Sequence, residues 1–168
     1  MGINMDDYYN EIALTYNELH GEEQKKKANI ILKELLKQKK SGRLLDIGGG
    51  TGIATELFIE HYDCILIDPS ERLLDVGSYK MEKILAEAEQ LPFAESKFDI
   101  IISLTALHHT ELEKALSELK RVAKSDALVA ISFLKKSVKL EKFRELFKKD
   151  FPKTREIEED KDILFFNF

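Results

Sequence analysis

Cysteine occurs once in this chain, proline three times and tryptophan never, and no apolar run approaches the roughly 20 residues that span a bilayer. The lone Cys64 excludes an intrachain disulfide, a cysteine zinc cluster and any chemistry that gathers several thiolates. There is no Pro-Cys pair either, which argues against a covalent thiolate attack on cytosine. Cys64 itself lies in an apolar stretch and reads as a buried core thiol. The acidic, polar N-terminus lacks the basic and apolar regions of a secretory signal, so a cytoplasmic protein with no membrane segment is expected. Met1-Gly2 opens like a myristoylation signal, but position 6 holds Asp6 where Ser or Thr is needed.

What the chain does have is a single core's worth of apolar residues, 43% of 168, with no repeat, low-complexity tract or linker. One domain over 1–168 is expected, in three parts: N-terminal helices (1–41), a core (42–134), and a last helix with a terminal hairpin (135–168). Apolar residues recur at helical spacing in Asp6 to Leu19 and in Glu22 to Lys39, where Ser41-Gly42 ends the second helix. Beyond Gly52 helix and strand alternate. The strands are Cys64 to Ile67, Lys83 to Ala86, Asp99 to Leu104 and Ala127 to Phe133, and the helices are Glu71 to Val76 capped by Ser70 and Glu111 to Val122 capped by Thr110. A helix at Leu140 to Phe147 and two extended segments, Thr154 to Ile157 and Ile163 to Phe168, follow. Such alternation predicts an α/β fold with a parallel sheet covered on both faces.

The most informative stretch is Leu44 to Gly52, LLDIGGGTG: an apolar strand ending at Asp46, glycines at 48, 49, 50 and 52, then a helical segment from Ile53 to Glu60. Glycine lets the backbone turn tightly and approach a ligand, and the N–H groups of a following helix suit an anionic end. A dinucleotide fingerprint needs a small residue at position 53, which is Ile53, so the NAD reading fails. A P-loop needs a lysine after its last glycine, and Ile53-Ala54 follows Gly52. An acidic D-x-G-x-G-x-G pattern remains.

With that pattern the chain resembles the class I S-adenosylmethionine-dependent methyltransferases, in the type 11, ubiquinone/menaquinone-biosynthesis-like branch. Three further segments carry the resemblance in order. Asp68 ends the second strand, 22 residues after Asp46; Ala86-Glu87-Ala88-Glu89-Gln90-Leu91-Pro92-Phe93 looks like the family's G-D-A-x-x-L-P-F segment; and FDIIISL with Thr105-Ala106-Leu107-His108-His109 looks like its fourth strand and following loop. The resemblance implies a Rossmann-like, doubly wound, seven-stranded and mostly parallel sheet ending in an antiparallel hairpin. It implies S-adenosyl-L-methionine as cofactor, held by Asp46, Gly48, Gly49, Gly50, Gly52, Asp68, Pro69, Glu87, Ala88 and Leu104. Asp68 would take the ribose hydroxyls, and Glu87, one methylene longer than the family's Asp, the adenine amino group. No metal is implied.

Methyl transfer from a sulfonium is an in-line displacement that mainly requires positioning, with a general base where the nucleophile starts protonated. His108 is the catalytic candidate, with His109 beside it. Tyr16, in a segment similar to the family's donor-covering N-terminus, is the second candidate, and Tyr9 reads as packing. The chain after the fourth strand reads Ser103-Leu104-Thr105-Ala106 rather than N/D-P-P-Y/F, which argues against adenine or glutamine amide methylation. No substrate-covering insertion follows Phe133, so the acceptor is expected to be open to macromolecules, RNA or protein, with a small activator subunit or a homodimer as partner. Between Lys135 and Arg155 nine basic and three acidic residues could attract phosphates, against a whole-chain charge of −5 that favours a solvated face. A small-metabolite methyltransferase and a non-catalytic S-adenosylmethionine-binding subunit are the alternatives.

Overall fold

The computed structural model describes residues 5–77 and 80–168; the Met1-Gly2 start lies outside them. Helices α1 (Met5–Ile12) and α2 (Tyr16–Gln38) lead into strand β1 (Arg43–Ile47), β2 (Asp63–Asp68), helix α3 (Glu71–Val76), β3 (Glu82–Leu85), β4 (Phe98–Leu104), α4 (Leu112–Val122), β5 (Ala123–Leu134), α5 (Leu140–Asp150), β6 (Arg155–Glu159) and β7 (Asp162–Phe166). The seven strands form one sheet in the order β3-β2-β1-β4-β5-β7-β6. β1 to β5 are mutually parallel, and β7 runs antiparallel to β5 and β6. This is the parallel sheet that the helix–strand alternation predicts, completed by the terminal hairpin that the family resemblance implies.

Near-continuous apolar strands such as FDIIISL require cover on both faces, and both are covered. On one side α4 and α5 pack through Leu116, Leu119, Phe143 and Phe147; on the other α2 packs through Ala28, Ile31 and Leu35. Successive side chains of β7 divide between them, Ile163 and Phe165 to the first and Leu164 and Phe166 to the second. The strand order reverses between β1 and β4, and at such a switch point the carboxyl ends of the strands diverge to leave a crevice.

Three local expectations are corrected. The break between the N-terminal helices falls at a 3-10 turn, Ala13–Thr15, and α2 continues straight through Gly21. Gly21 is buried, and a methyl group on it would come within 2.8 Å of Ile53 Cδ1, so its role is close approach of α2 to the residue that follows the glycine loop. The helix expected at Ile53 to Glu60 is reduced to a 3-10 turn, Thr55–Phe58. Thr55 is drawn inward there, its hydroxyl donating to Asp46 Oδ2 at 2.7 Å. Thr110 does not cap α4: its hydroxyl donates backward to the Leu107 carbonyl at 2.7 Å, and Glu111 holds the cap position without a side-chain bond. Ser70 does cap α3, accepting from Leu73 N at 3.2 Å. Among the described residues no helix is long and apolar enough to cross a membrane.

Candidate active site

At the switch point lies a cleft of about 240 Å³. Its floor is the end of β1 with Gly48 and Gly50, one side is Asp68, Pro69 and Leu73, and the other is Leu104 to Leu107 with His109. Glu87 and Ala88 line it at the end of β3, and Tyr9 and Tyr16 line it from the N-terminal helices. Of the residues expected at the cofactor, the cleft therefore gathers Gly48, Gly50, Asp68, Pro69, Glu87, Ala88 and Leu104, with Tyr16 beside them.

Asp46, Gly49 and Gly52 are not in its wall. Asp46 lies behind the loop, 1% exposed, with Oδ1 buried and without a hydrogen-bond partner among the described residues. Burial pushes its carboxyl up to about 7; the Thr55 hydroxyl opposes the rise and the charge of Asp68 adds to it. Gly49 lacks a side chain because a methyl there would strike Leu66 at 2.5 Å. The loop amides are also placed differently from the expected anion cradle. Gly48 N and Gly49 N donate to the Ile67 carbonyl at 2.8 and 3.1 Å, and Gly50 N donates to Asp68 Oδ2 at 2.9 Å. The loop is thus clamped to the end of β2. Asp68 Oδ1 accepts from Ser70 N at 2.8 Å, which fixes the carboxylate at the entrance of α3.

His108 is corrected. It does not line the cleft; its ring packs edge-on to Phe133 at 6.1 Å, its Nδ1 is buried without a hydrogen-bond partner among the described residues, and burial followed by the neighbouring His109 holds its pKa down to about 4. His109 reaches the cleft instead, its Nε2 3.1 Å from the Tyr9 hydroxyl. Tyr9 is correspondingly not simple packing. Its ring stands 5.8 Å from that of His109 and 6.3 Å from that of Tyr16, and burial, with Tyr8 and Asp68, pushes its phenol up to about 12, so it stays protonated at neutral pH. In a His-His pair only the local turn, here the 3-10 turn Leu107–His109, decides which ring faces outward, and no residue type signals it. Thr105 and Ala106 were read as part of the loop after β4 but not as site residues, and Leu73 was not singled out, because their contribution to the cleft is shape.

A cleft on the carboxyl edge of β1, β2 and β4, with a glycine loop beneath it and acids at the ends of β2 and β3, defines a nucleotide-cofactor domain of the methyltransferase class. A family model described as a methyltransferase domain matches residues 45–131, and the chain belongs to that family. The protein MJ1252 of Methanocaldococcus jannaschii is 35% identical over 133 residues, covering 76% of this chain and 50% of that protein. The ubiquinone/menaquinone biosynthesis C-methyltransferase UbiE of Vibrio vulnificus is 37% identical over 108 residues, 55% of this chain and 42% of that protein. The chain thus spans about half the length of these relatives. A SAM-dependent methyltransferase of Aquifex aeolicus, a solved structure, shares the fold with a TM-score of 0.67 at 24% identity over 83% of this chain and 87% of that one.

The cleft fits S-adenosyl-L-methionine, the cofactor of this family. A methyl on Gly50 would project between Leu73 Cδ1, Tyr16 Cε1 and Asp68 Oδ2, at 3.7, 3.9 and 4.0 Å, so the missing side chain is the space the cleft provides. None of these distances is a clash. Gly50 has φ +59, so Gly50→Ala carries about 1–2 kcal/mol of left-handed strain and yields a folded protein. Its affinity for S-adenosylhomocysteine is expected to be abolished in a calorimetric titration; unaltered binding would place the ligand elsewhere.

Asp46 yields a second test. Its carboxyl ionises near 3.8 in the unfolded chain and near 7 in the folded one, so the stability it supports is complete below about pH 4 and is lost as pH rises through 7. Asp46→Asn removes that loss, and the ligand-free variant is expected to be more stable than the wild type at pH 8 and to lack its fall in stability with rising pH. Unfolding free energy measured against pH checks this, and identical profiles for the two proteins would contradict it.

Proposed function

We propose that the protein transfers the methyl group of S-adenosyl-L-methionine to a small nucleophile that enters beside Tyr9, Tyr16 and His109. In this reading Asp68 holds the ribose hydroxyls, Glu87 and Ala88 border the adenine, Gly48 and Gly50 leave room for the body of the cofactor, and Leu104 and Tyr16 face its methionine end. When bound, the cofactor supplies a methyl carbon already activated by a sulfonium. Tyr9 and Tyr16 present rings that exclude water from that end and hold an acceptor in line. His109 is the base for a protonated nucleophile: its Nε2, 3.1 Å from the Tyr9 hydroxyl, takes the acceptor's proton from the tautomer protonated at Nδ1 when the acceptor's O–H or N–H replaces that hydroxyl. His108, neutral and turned toward Phe133, has no such access.

The observation that carries the small-acceptor reading is the fastening of α1 across the cleft. Besides the Tyr9–His109 bond, Asn10 Oδ1 accepts from Ser70 Oγ at 2.7 Å and the Asn10 carbonyl accepts from Arg72 at 3.4 Å. The N-terminal helices thereby supply the cover that no insertion after β5 provides. Much of the basic stretch is also engaged in ion pairs: Lys135 with Glu158, Lys142 with Glu113, Arg144 with Glu141 and Glu156, Lys148 with Glu156, and Arg155 with Glu34. An RNA or protein acceptor would have to displace α1 to reach the cleft.

Incubation with methyl-labelled cofactor and a cell extract separated by size is expected to place label in the small-molecule fraction; label confined to RNA or protein would overturn the proposal. Once an acceptor bearing O–H or N–H is identified, His109→Asn is expected to lower the transfer rate about 10²- to 10⁴-fold. S-adenosylhomocysteine affinity should be retained, and His108→Asn should leave the pH dependence of the rate in place. A pH dependence abolished by His108→Asn and kept by His109→Asn would reverse the assignment.

A further inference from the structure

Three segments distant in sequence meet behind the cleft wall that follows β4. Lys27 of α2 is 2% exposed, an unusual depth for a lysine. Its Nζ lies 2.6 Å from Asp162 Oδ2 and 2.5 Å from Thr105 Oγ1, with Glu23 at 3.5 Å. The Thr105 hydroxyl lies 2.6 Å from the same Asp162 oxygen, and Thr105 N donates to Ser132 Oγ and to the Ser132 carbonyl at 2.8 and 3.1 Å. Asp162 opens β7 opposite Leu134 at the end of β5 and is 1% exposed; its Oδ1 is buried with no hydrogen-bond partner among the described residues. The network therefore pins Thr105 from the N-terminal helix, from the C-terminal hairpin and from the neighbouring strand.

Thr105 holds φ +52, a left-handed conformation that a β-branched residue avoids unless its surroundings impose it. A buried ion pair is a poor source of stability, because desolvation offsets the attraction, and an orphaned carboxylate oxygen adds to the cost. Its effect is geometric. Thr105 begins the cleft wall that continues through Ala106 and Leu107 to His109. Ala106 in turn presses on the glycine loop so closely that a methyl on Gly48 would collide with its Cβ.

We propose that Lys27 and Asp162 are positioning residues: together they hold Thr105 in its left-handed conformation and so set the cleft wall from Thr105 to His109. Neither touches the cleft's ligand. The proposal rests on reading the cleft as the S-adenosylmethionine site, and the experiment separates the two.

The full chain is compared with Lys27→Met/Asp162→Leu, which removes both charges at once, and with Thr105→Val and Thr105→Ser. Melting temperature, S-adenosylhomocysteine affinity and the ligand-free NMR signals of the His109 ring are recorded. The double variant is expected to melt close to the wild type, yet to bind S-adenosylhomocysteine about tenfold or more weakly, with shifted His109 signals. Thr105→Val shows the same loss without disturbing the charges, and Thr105→Ser, which restores the hydroxyl, recovers the affinity. If the double variant fails to fold, the Val and Ser variants decide. Wild-type affinity together with unmoved His109 signals in the double variant, or in Thr105→Val, would overturn the proposal. A wild-type protein that binds no S-adenosylhomocysteine would instead refute the cofactor reading, and the ring signals, which need no ligand, would still decide the positioning role.

Discussion

Asp68 ends β2 with a carboxylate that accepts from Gly50 N on one oxygen and from Ser70 N on the other, so one side chain ties the glycine loop to β2 and fixes the start of α3. The loop can fold back this far because the Ile67 carbonyl takes Gly48 N and Gly49 N, and because Gly48 and Gly50 adopt positive φ values that other residues avoid. The remainder of the cleft depends on that clamp. With the loop drawn toward β2, the space above Gly50 opens between Leu73, Tyr16 and Asp68, and the strand reversal between β1 and β4 leaves it clear of other strands. The same carboxylate adds to the buried charge cost at Asp46 and contributes to the high pKa of Tyr9, so cleft electrostatics and loop geometry share an origin.

Much of this was legible in the sequence where it rests on backbone rules. Glycines between an apolar strand and a polar turn, an acid at the end of the next strand, and alternating helix and strand all follow from conformational freedom and hydrophobic period. The seven-stranded count and the antiparallel hairpin came from family resemblance, and the strand order from the structure alone. What could not be read depends on tertiary approach. The helix break was read near residues 20–21 because the sequence does not reveal that α2 runs through Gly21 with Ile53 against it. Thr55 looked helical because its bond to Asp46 spans nine positions and two elements. His108 and His109 are chemically identical neighbours, and only the packing of one ring near Phe133 turns the other outward. Lys27 is one of three consecutive lysines, and nothing in that run marks the one that meets Asp162 across 135 positions.

The two ends of the described chain contribute more to the cleft than the glycine loop's prominence implies. α1 lies over it through Tyr9 and Asn10, α2 reaches it through Tyr16 and supports it through Lys27, and the start of β7 supports it through Asp162. The family model covers residues 45–131, which hold the glycine loop, Asp68, Glu87 and His109 but none of Tyr9, Tyr16, Lys27 and Asp162. The cleft is thus built jointly by the stretch the family model covers and by the segments on either side of it.

The central claim is that the cleft above Gly50 accepts S-adenosylmethionine and rejects a dinucleotide. Calorimetric titration of the purified protein with S-adenosylmethionine, S-adenosylhomocysteine and NADH tests it most directly. Saturable, one-to-one binding of the first two with no heat from NADH is the expected result. Binding of NADH, or no binding of either sulfur compound, would contradict it.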